Sequence, residues 1–417
     1  MINLKNNKGA ITLYILVSLL FFIIAIASVQ ANLKTKEASV ESEYQKIKAS
    51  YEKNAGEVYD SKYKKVTVES LIESGKPVNT NTPVEDAYGN TLIVPAGFKI
   101  TTDADTVPEG IVIEDVSAGN VTDETTGETT NPTLGSQFVW IPVGDVYTTT
   151  DKEKTSENTE VVTLGRYSWS GSTGTPVQTV TTEEEAISAA TATIAADSGY
   201  YEVTADNGTY GTSKGYTNAK AKDLAGFLKS AVKNGGYYIA RYEAGIDGEK
   251  DNYTLSQESA ATAITVKPQS KQGLGVWNSI KQTDASTVSQ AMYTNSNFTS
   301  DLINSYAWDT AIIFIQKMSG KDDYACQSSF NSGSPTTTGT SGDVEFNIYD
   351  MASNVREYST ETSSNSNSPC VSRGGSYGSS DFSTRTRYGY FSGITNKNYG
   401  FRPILYVGLD SNSETTE

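Results

Sequence analysis

Histidine is absent from all 417 residues. Without an imidazole the chain has no Ser-His-Asp or Cys-His nucleophilic site, no histidine-ligated zinc and no histidine-held iron, so most hydrolase mechanisms are closed to it. Cysteine is nearly absent too: Cys326 and Cys370 are the only two, too few for a thiolate metal cage. In an exported chain the pair would close one disulfide, worth about 4 kcal/mol on the chain-entropy model. The other reading is two buried free thiols. Positive charge is in deficit, with 33 Lys and Arg against 49 Asp and Glu and a net charge of -16. That field repels phosphate backbones, and no basic stripe with interleaved aromatics opposes it, so nucleic acid is not expected as a partner.

Uncharged apolar runs of any length are also missing, with one exception. Residues 10–29 are a stretch of about twenty apolar residues without a charge, preceded by Lys5 and Lys8. At about 1.5 Å rise per residue such a helix matches a hydrocarbon core of roughly 30 Å. The basic residues before it keep the short end cytoplasmic and send the rest of the chain outside the cell. Three readings stand: a plain uncleaved single-pass anchor, a secretory signal with Val29-Gln30-Ala31 as its cleavage site, and a processed leader. Lys8-Gly9-Ala10-Ile11-Thr12-Leu13 resembles the prepilin leader of type IV pilins and pseudopilins, which is cut after the glycine. The resemblance covers about thirty residues and implies pilus or pseudopilus components as partners. Tyr14 departs from it, standing where pilins have glutamate.

The remaining chain is rich enough in aromatics (10%) for one large or two ordinary globular domains. Residues 31–64 read as a charged amphipathic helix, with Leu33, Val40 and Ile47 seven apart and Tyr44, Tyr51 and Val58 on the adjoining stripe. It either extends the membrane helix as a stalk or folds back onto the domain. Residues 65–130 are short β-rich runs, including Asn90 to Ile100 and Gly110 to Glu114. A main domain over 131–407 opens at Phe138-Val139-Trp140-Ile141-Pro142-Val143 and carries a Thr/Ser/Gly-rich, solvent-exposed insertion at 147–218; residues 408–417 are a disordered tail. Helices are predicted over Lys222 to Lys233 and Thr299 to Lys317, and a strand over Gly235 to Tyr242.

An ordered series of short motifs fills this domain. Gly236-Tyr237-Tyr238-Ile239-Ala240-Arg241-Tyr242-Glu243 is followed by Tyr306-Ala307-Trp308-Asp309-Thr310-Ala311 and by Asn347-Ile348-Tyr349-Asp350-Met351-Ala352-Ser353-Asn354-Val355-Arg356-Glu357-Tyr358. Ser372-Arg373-Gly374-Gly375-Ser376-Tyr377 and Tyr399-Gly400-Phe401-Arg402-Pro403 close it. The series resembles the formylglycine-generating enzyme and sulfatase-modifying factor family over roughly Phe138 to Val407. The resemblance implies an α+β, C-type lectin-like domain. Arg373, Gly374, Gly375 and Arg402 read as structural, pairing fixed cations with glycines that allow close backbone approach.

What the family does chemically depends on residues this chain lacks. Its enzymes hold copper with two cysteines after the Arg-Gly-Gly signature, and those places fall at about Ser379 and Thr384 here. Hydroxyls do not replace thiolates as ligands for Cu(I). The related sulfoxide synthases hold iron with histidines, and this chain has none. Asn354 and Glu357 stand where the family places calcium ligands, which implies a structural Ca²⁺; capping and hydrogen bonding is the other reading of the same pair. Ser353 replaces the family's glycine there and Arg356 its aromatic.

Between the Arg-Gly-Gly and Gly-Phe-Arg signatures the composition is that of a binding loop, with rigid aromatics among small hydrogen bonders. The candidate ligand face is Tyr377, Ser379, Ser380, Asp381, Phe382, Ser383, Thr384, Arg385, Arg387, Tyr388, Tyr390, Phe391 and Asn396. The arrangement resembles the variable proteins of diversity-generating retroelements, which display a mutable stretch in this position. The expectation is therefore a membrane-anchored or pilin-like, non-catalytic protein that binds an extracellular protein or glycan. Two alternatives stand beside it: a sulfatase-modifying oxidoreductase with its metal displaced to Cys326 and Cys370, and a structural minor pilin.

Overall fold

In the computed structural model the described residues are 66–151, 155, 157–197, 199–203, 212–213, 216–246, 266–294, 297–329, 333–391 and 396–408. They belong to one compact unit, which begins at Val66. The anchor, prepilin leader and stalk expected over residues 1–64 lie outside the described residues, as does the tail beyond 408. Among the described residues no helix is long and apolar enough to cross a membrane.

The fold is α+β and mostly sheet. Two larger sheets are built from β1 (Phe98–Ile100), β2 (Val112–Asp115), β3 (Gln137–Pro142), β4 (Tyr200–Glu202), β5 (Gly236–Ala240), β6 (Phe298–Leu302), β7 (Arg356–Ser363), β8 (Cys370–Arg373), β9 (Arg387–Tyr390), β10 (Tyr399–Phe401) and β11 (Pro403–Val407). The first sheet runs β6-β11-β5-β3-β2-β1, antiparallel throughout. Its middle strands read as unbroken apolar runs because both faces are covered: Phe138, Val139, Trp140, Ile141, Tyr237, Tyr238 and Ile239 are all buried. Since β1 and β2 pair onto β3, segment 65–130 shares a sheet and a core with the main domain.

Among the described residues five α-helices accompany these sheets: α1 (Val68–Ser74), α2 (Glu183–Thr191), α3 (Leu224–Lys233), α4 (Gln282–Gln290) and α5 (Ser305–Ser319). Helix α3 starts two residues later than predicted, because Asp223 caps it by accepting the Gly226 amide at 2.9 Å. Leu224, Phe227, Leu228 and Ala231 form its buried stripe. The helix predicted from Thr299 divides into β6 and α5. Residues 298–302 pair with β11 from Phe298↔Val407 to Leu302↔Pro403, and Asn304 caps the helix through Ala307 at 2.9 Å.

The insertion at 147–218 is not the solvent-exposed excursion its composition suggests. Leu164–Ser170 and Thr173–Val180 form a hairpin whose Leu164, Tyr167, Trp169 and Val180 join the main core, as does Val162 just before it. Strand β4 then adds to the second sheet. The first strand of the hairpin is buried continuously from Leu164 to Tyr167 and again at Trp169, and a register shift between Arg166 and Tyr167 breaks any period-two pattern, so average polarity conceals the apolar set.

The second sheet runs β4-β7-β8-β9, with β10 parallel to the first half of β7. It carries the candidate site.

Candidate functional site

Strand β9 reads Arg387-Tyr388-Gly389-Tyr390, and successive side chains of a strand point to opposite faces. Its register, Arg373↔Arg387, Ser372↔Tyr388 and Cys370↔Tyr390, sends the two arginines inward and the two tyrosines outward. Gly389 belongs to the inward set, where a Cβ would stand 2.5 Å from the Ser368 carbonyl oxygen.

Beneath the sheet the arginines meet buried carboxylates. Arg373 donates to Glu361 at 3.0 Å and to Asp309 of α5 at 2.6 Å. Arg387 donates to Glu361 at 2.7 Å, to Asp309 at 2.5 Å and to the Tyr167 carbonyl at 3.0 Å, and it pairs with Asp197. Burial pushes the Glu361 carboxyl up, but the charges of Arg387, Arg373 and Arg166 outweigh it and hold the group at about 2. The same carboxylates keep the Arg387 guanidinium firmly protonated against its burial. The network joins α5, the 164–180 hairpin and the second sheet. Removing one member would strand the others as uncompensated buried charges, at about 3–5 kcal/mol.

Above the sheet, Arg356 and Tyr358 of β7 and Tyr399 of β10 stand on the same face as Tyr388 and Tyr390. The rings form one cluster. Phe382 and Tyr388 meet edge to face at 5.2 Å, Tyr390 lies 4.3 Å from Tyr399, Tyr358 stacks on Tyr399 at 5.3 Å, and Phe391 lies 5.4 Å from Tyr390. The Arg356 guanidinium sits among them, 4.0 Å from the Phe382 centroid, 4.4 Å from Tyr399 and 4.9 Å from Tyr388. Tyr388 is 40% exposed and Phe391 46%. Ser380 and Asp381 are exposed beside them, with Ser379, Phe382, Ser383, Arg385, Tyr390 and Asn396 half-buried. Asn396 donates to the Tyr390 hydroxyl at 3.0 Å. Residues 392–395 lie outside the described residues.

Three residues expected on the ligand face are interior. Arg387 belongs to the ion network. Tyr377 is buried with Val276 and Val355, and its hydroxyl donates to Asn398 at 2.5 Å. Thr384 is buried, its amide and hydroxyl both given to the Gln327 carbonyl and its own carbonyl receiving the Trp308 indole at 2.9 Å. Arg385 is partly drawn in, its amide bonded to the Ala325 carbonyl. Conversely, Arg356 and Tyr358, themselves buried, lie directly beneath the exposed rings on the same side of the sheet, a placement the sequence reading missed. Their signal was parity: in Val355-Arg356-Glu357-Tyr358 they share one face and Glu357 takes the other.

The residues set aside for metal are occupied with internal partners. Both Glu357 oxygens receive the Arg402 guanidinium, at 2.5 and 2.8 Å, and Arg402 also donates to the Ala240 and Tyr349 carbonyls. Asn354 donates to Glu243 at 2.5 Å and accepts the Thr336 amide at 2.9 Å. Hydrogen bonding, the second reading of that pair, is what the geometry displays, and among the described residues no acidic, Cys or His group has a metal-holding arrangement. The disulfide is likewise corrected. Cys326 is a free, exposed thiol on a short turn of helix, and Cys370 a free, buried one on β8 that burial pushes up to about 12. Gly374 has φ +85°, and its Cβ would lie 2.7 Å from the Met351 carbonyl oxygen; Gly375 packs directly on the Ala352 backbone.

No family model matches the chain, and no curated protein does. Solved structures similar to it include CarF, at 16% identity over 41% of this chain and 86% of that one with a TM-score of 0.29. Treponema denticola variable protein 1 gives 13% identity over 65% and 96%, with a TM-score of 0.31. The Major Tropism Determinant M1 variant gives 13% over 82% and 98%, with a TM-score of 0.27. TM-scores this low leave the reading of this chain to its own residues.

Proposed function

We propose that this chain is a membrane-anchored or pilin-like surface protein whose lectin-like domain binds an extracellular protein or glycan and does not transform it. The observation that carries the reading is the division of β9: charges beneath the sheet fix the strand, and Phe382, Tyr388, Tyr390 and Phe391 gather above it. Aromatics held rigidly on a strand lose little entropy on binding, which is how such residues come to dominate binding energy. The family's copper positions support the same side of the argument, since Ser379 and Thr384 are hydroxyls and Thr384 is already hydrogen-bonded to Gln327. The thiols that would form a displaced site are divided between an exposed turn and a buried strand.

Overlay of the full chain on glycan and surface-protein arrays, with and without calcium, tests the reading. Capture that disappears in the Tyr388→Ala/Phe391→Ala double variant supports it, and capture unchanged in that variant removes the site. A further part of the proposal is that Tyr377 to Lys397 is a variable cassette. Its test is in the coding DNA, where a near-identical template repeat should lie beside a reverse-transcriptase gene.

A further inference from the structure

Arg356 is buried, at 6% exposure, yet no carboxylate among the described residues pairs with it. Its Nε has no hydrogen-bond acceptor. The other buried arginines of this sheet are treated differently: Arg373 and Arg387 share Asp309 and Glu361, and Arg402 takes Glu357. A buried charge is costly unless it is paired. The rings of Phe382, Tyr399 and Tyr388 relieve part of that cost, by about 0.5–2 kcal/mol each. The Tyr399 hydroxyl also reaches the guanidinium, but one neutral oxygen does not satisfy a guanidinium fork, whose natural complement is a carboxylate.

We propose that Arg356 is the anion-recognising group of the aromatic face, and that the occupant is a protein segment placing an Asp or Glu carboxylate beside an apolar side chain. This rests on the binding reading above and specifies its ligand. The carboxylate completes the pair that the fold leaves open, and the apolar neighbour packs between the exposed rings of Tyr388 and Phe391. Ring geometry favours a peptide over a sugar. Phe382 and Tyr388 are nearly perpendicular, at 88°, and Tyr390 and Phe391 cross at 67°, so the face presents ring edges at differing tilts and no broad flat platform for a pyranose. The chain's net charge of -16 does not prevent this, because distant surface charges are screened beyond roughly 8 Å at physiological salt.

A phage-displayed library of random peptides panned on the full-length protein tests the proposal. The expected enrichment is for peptides with Asp or Glu adjacent to an apolar residue, and synthetic copies should lose about tenfold in affinity when that acid becomes its amide, about 1.4 kcal/mol. Against Arg356→Gln the acid and amide peptides should bind alike, while Arg356→Lys should keep part of the preference. The acid-to-amide comparison on the unaltered protein stands even if Arg356→Gln fails to fold. Equal binding of acid and amide peptides, enrichment without acidic bias, or capture of polyglucuronate in place of peptides would overturn it. If Tyr388→Ala/Phe391→Ala still abolishes array capture in those cases, the face survives and only the role of Arg356 falls.

Discussion

Arg387 and Tyr388 are chain neighbours with opposite surroundings: the first is bonded to Asp309 and Glu361 in the interior, and the second stands 40% exposed among Phe382 and Arg356. Interior ion pairing and exposed aromatic surface are therefore assigned to alternate positions of one short strand, and on the proposed function the second set does the binding. Substitutions on β9 should separate into two classes.

Tyr388→Ala with Phe391→Ala should weaken ligand capture by about 2–4 kcal/mol in total, as expected of exposed aromatic anchors, and leave the melting temperature within a few degrees. Titration against an array-identified ligand, with thermal unfolding alongside, checks both halves. Loss of fold in the double variant would contradict the outward placement.

Arg387→Met should do the reverse. It keeps apolar bulk but leaves Asp309 and Glu361 short of a partner, so unfolding by denaturant should show a loss of about 3–5 kcal/mol. Because Glu361 is held at about 2, below the ordinary carboxylate range, its contribution is present above that range and disappears as pH falls toward 2. The variant should lose this part of the acid sensitivity.

Asp301 on β6 predicts the opposite slope. Burial is the main cause that raises its carboxyl from 3.8 to about 7, against hydrogen bonds from the Lys222 and Leu302 amides. A raised acid favours the folded state while protonated, so its contribution is fully present below 3.8 and lost as pH rises toward about 7. Asp301→Asn should flatten the decline of unfolding free energy across that window. An unchanged slope would show that the group does not titrate there.

Maleimide should label one thiol per native chain, Cys326, and both after unfolding. Burial holds the Cys370 thiol at about 12, which leaves almost no thiolate at neutral pH. Zero equivalents in the native, unreduced protein would instead indicate a disulfide.

Gly374→Ala should destabilise by about 1–3 kcal/mol, since φ +85° is strained for any Cβ and the new methyl meets the Met351 carbonyl and the Trp308 ring. Circular dichroism melting measures it directly.

The residues of the core were legible: continuous runs such as Phe138 to Val143 and Gly236 to Ala240 have few ways to be buried other than as central strands. The location of the exposed ring cluster was legible from the aromatic and small-residue mixture of its stretch. Which face each residue takes was not, because Arg387-Tyr388-Gly389-Tyr390 alternates equally well with either set inward. Only partners distant in sequence, Asp309 and Glu361, decide it. The role of the 147–218 segment was hidden for the same reason. Asp197 and Glu202 look like surface acids until Arg387 on one side and Ser305 and Thr360 on the other are brought to them.

With its place set from below by three ion pairs and one carbonyl hydrogen bond to Arg387, β9 does not rely on its outer side chains for its position in the sheet. Substitutions at those outward positions should therefore leave the frame of the sheet unaltered, which is what the proposed binding face would require of a surface that changes its specificity.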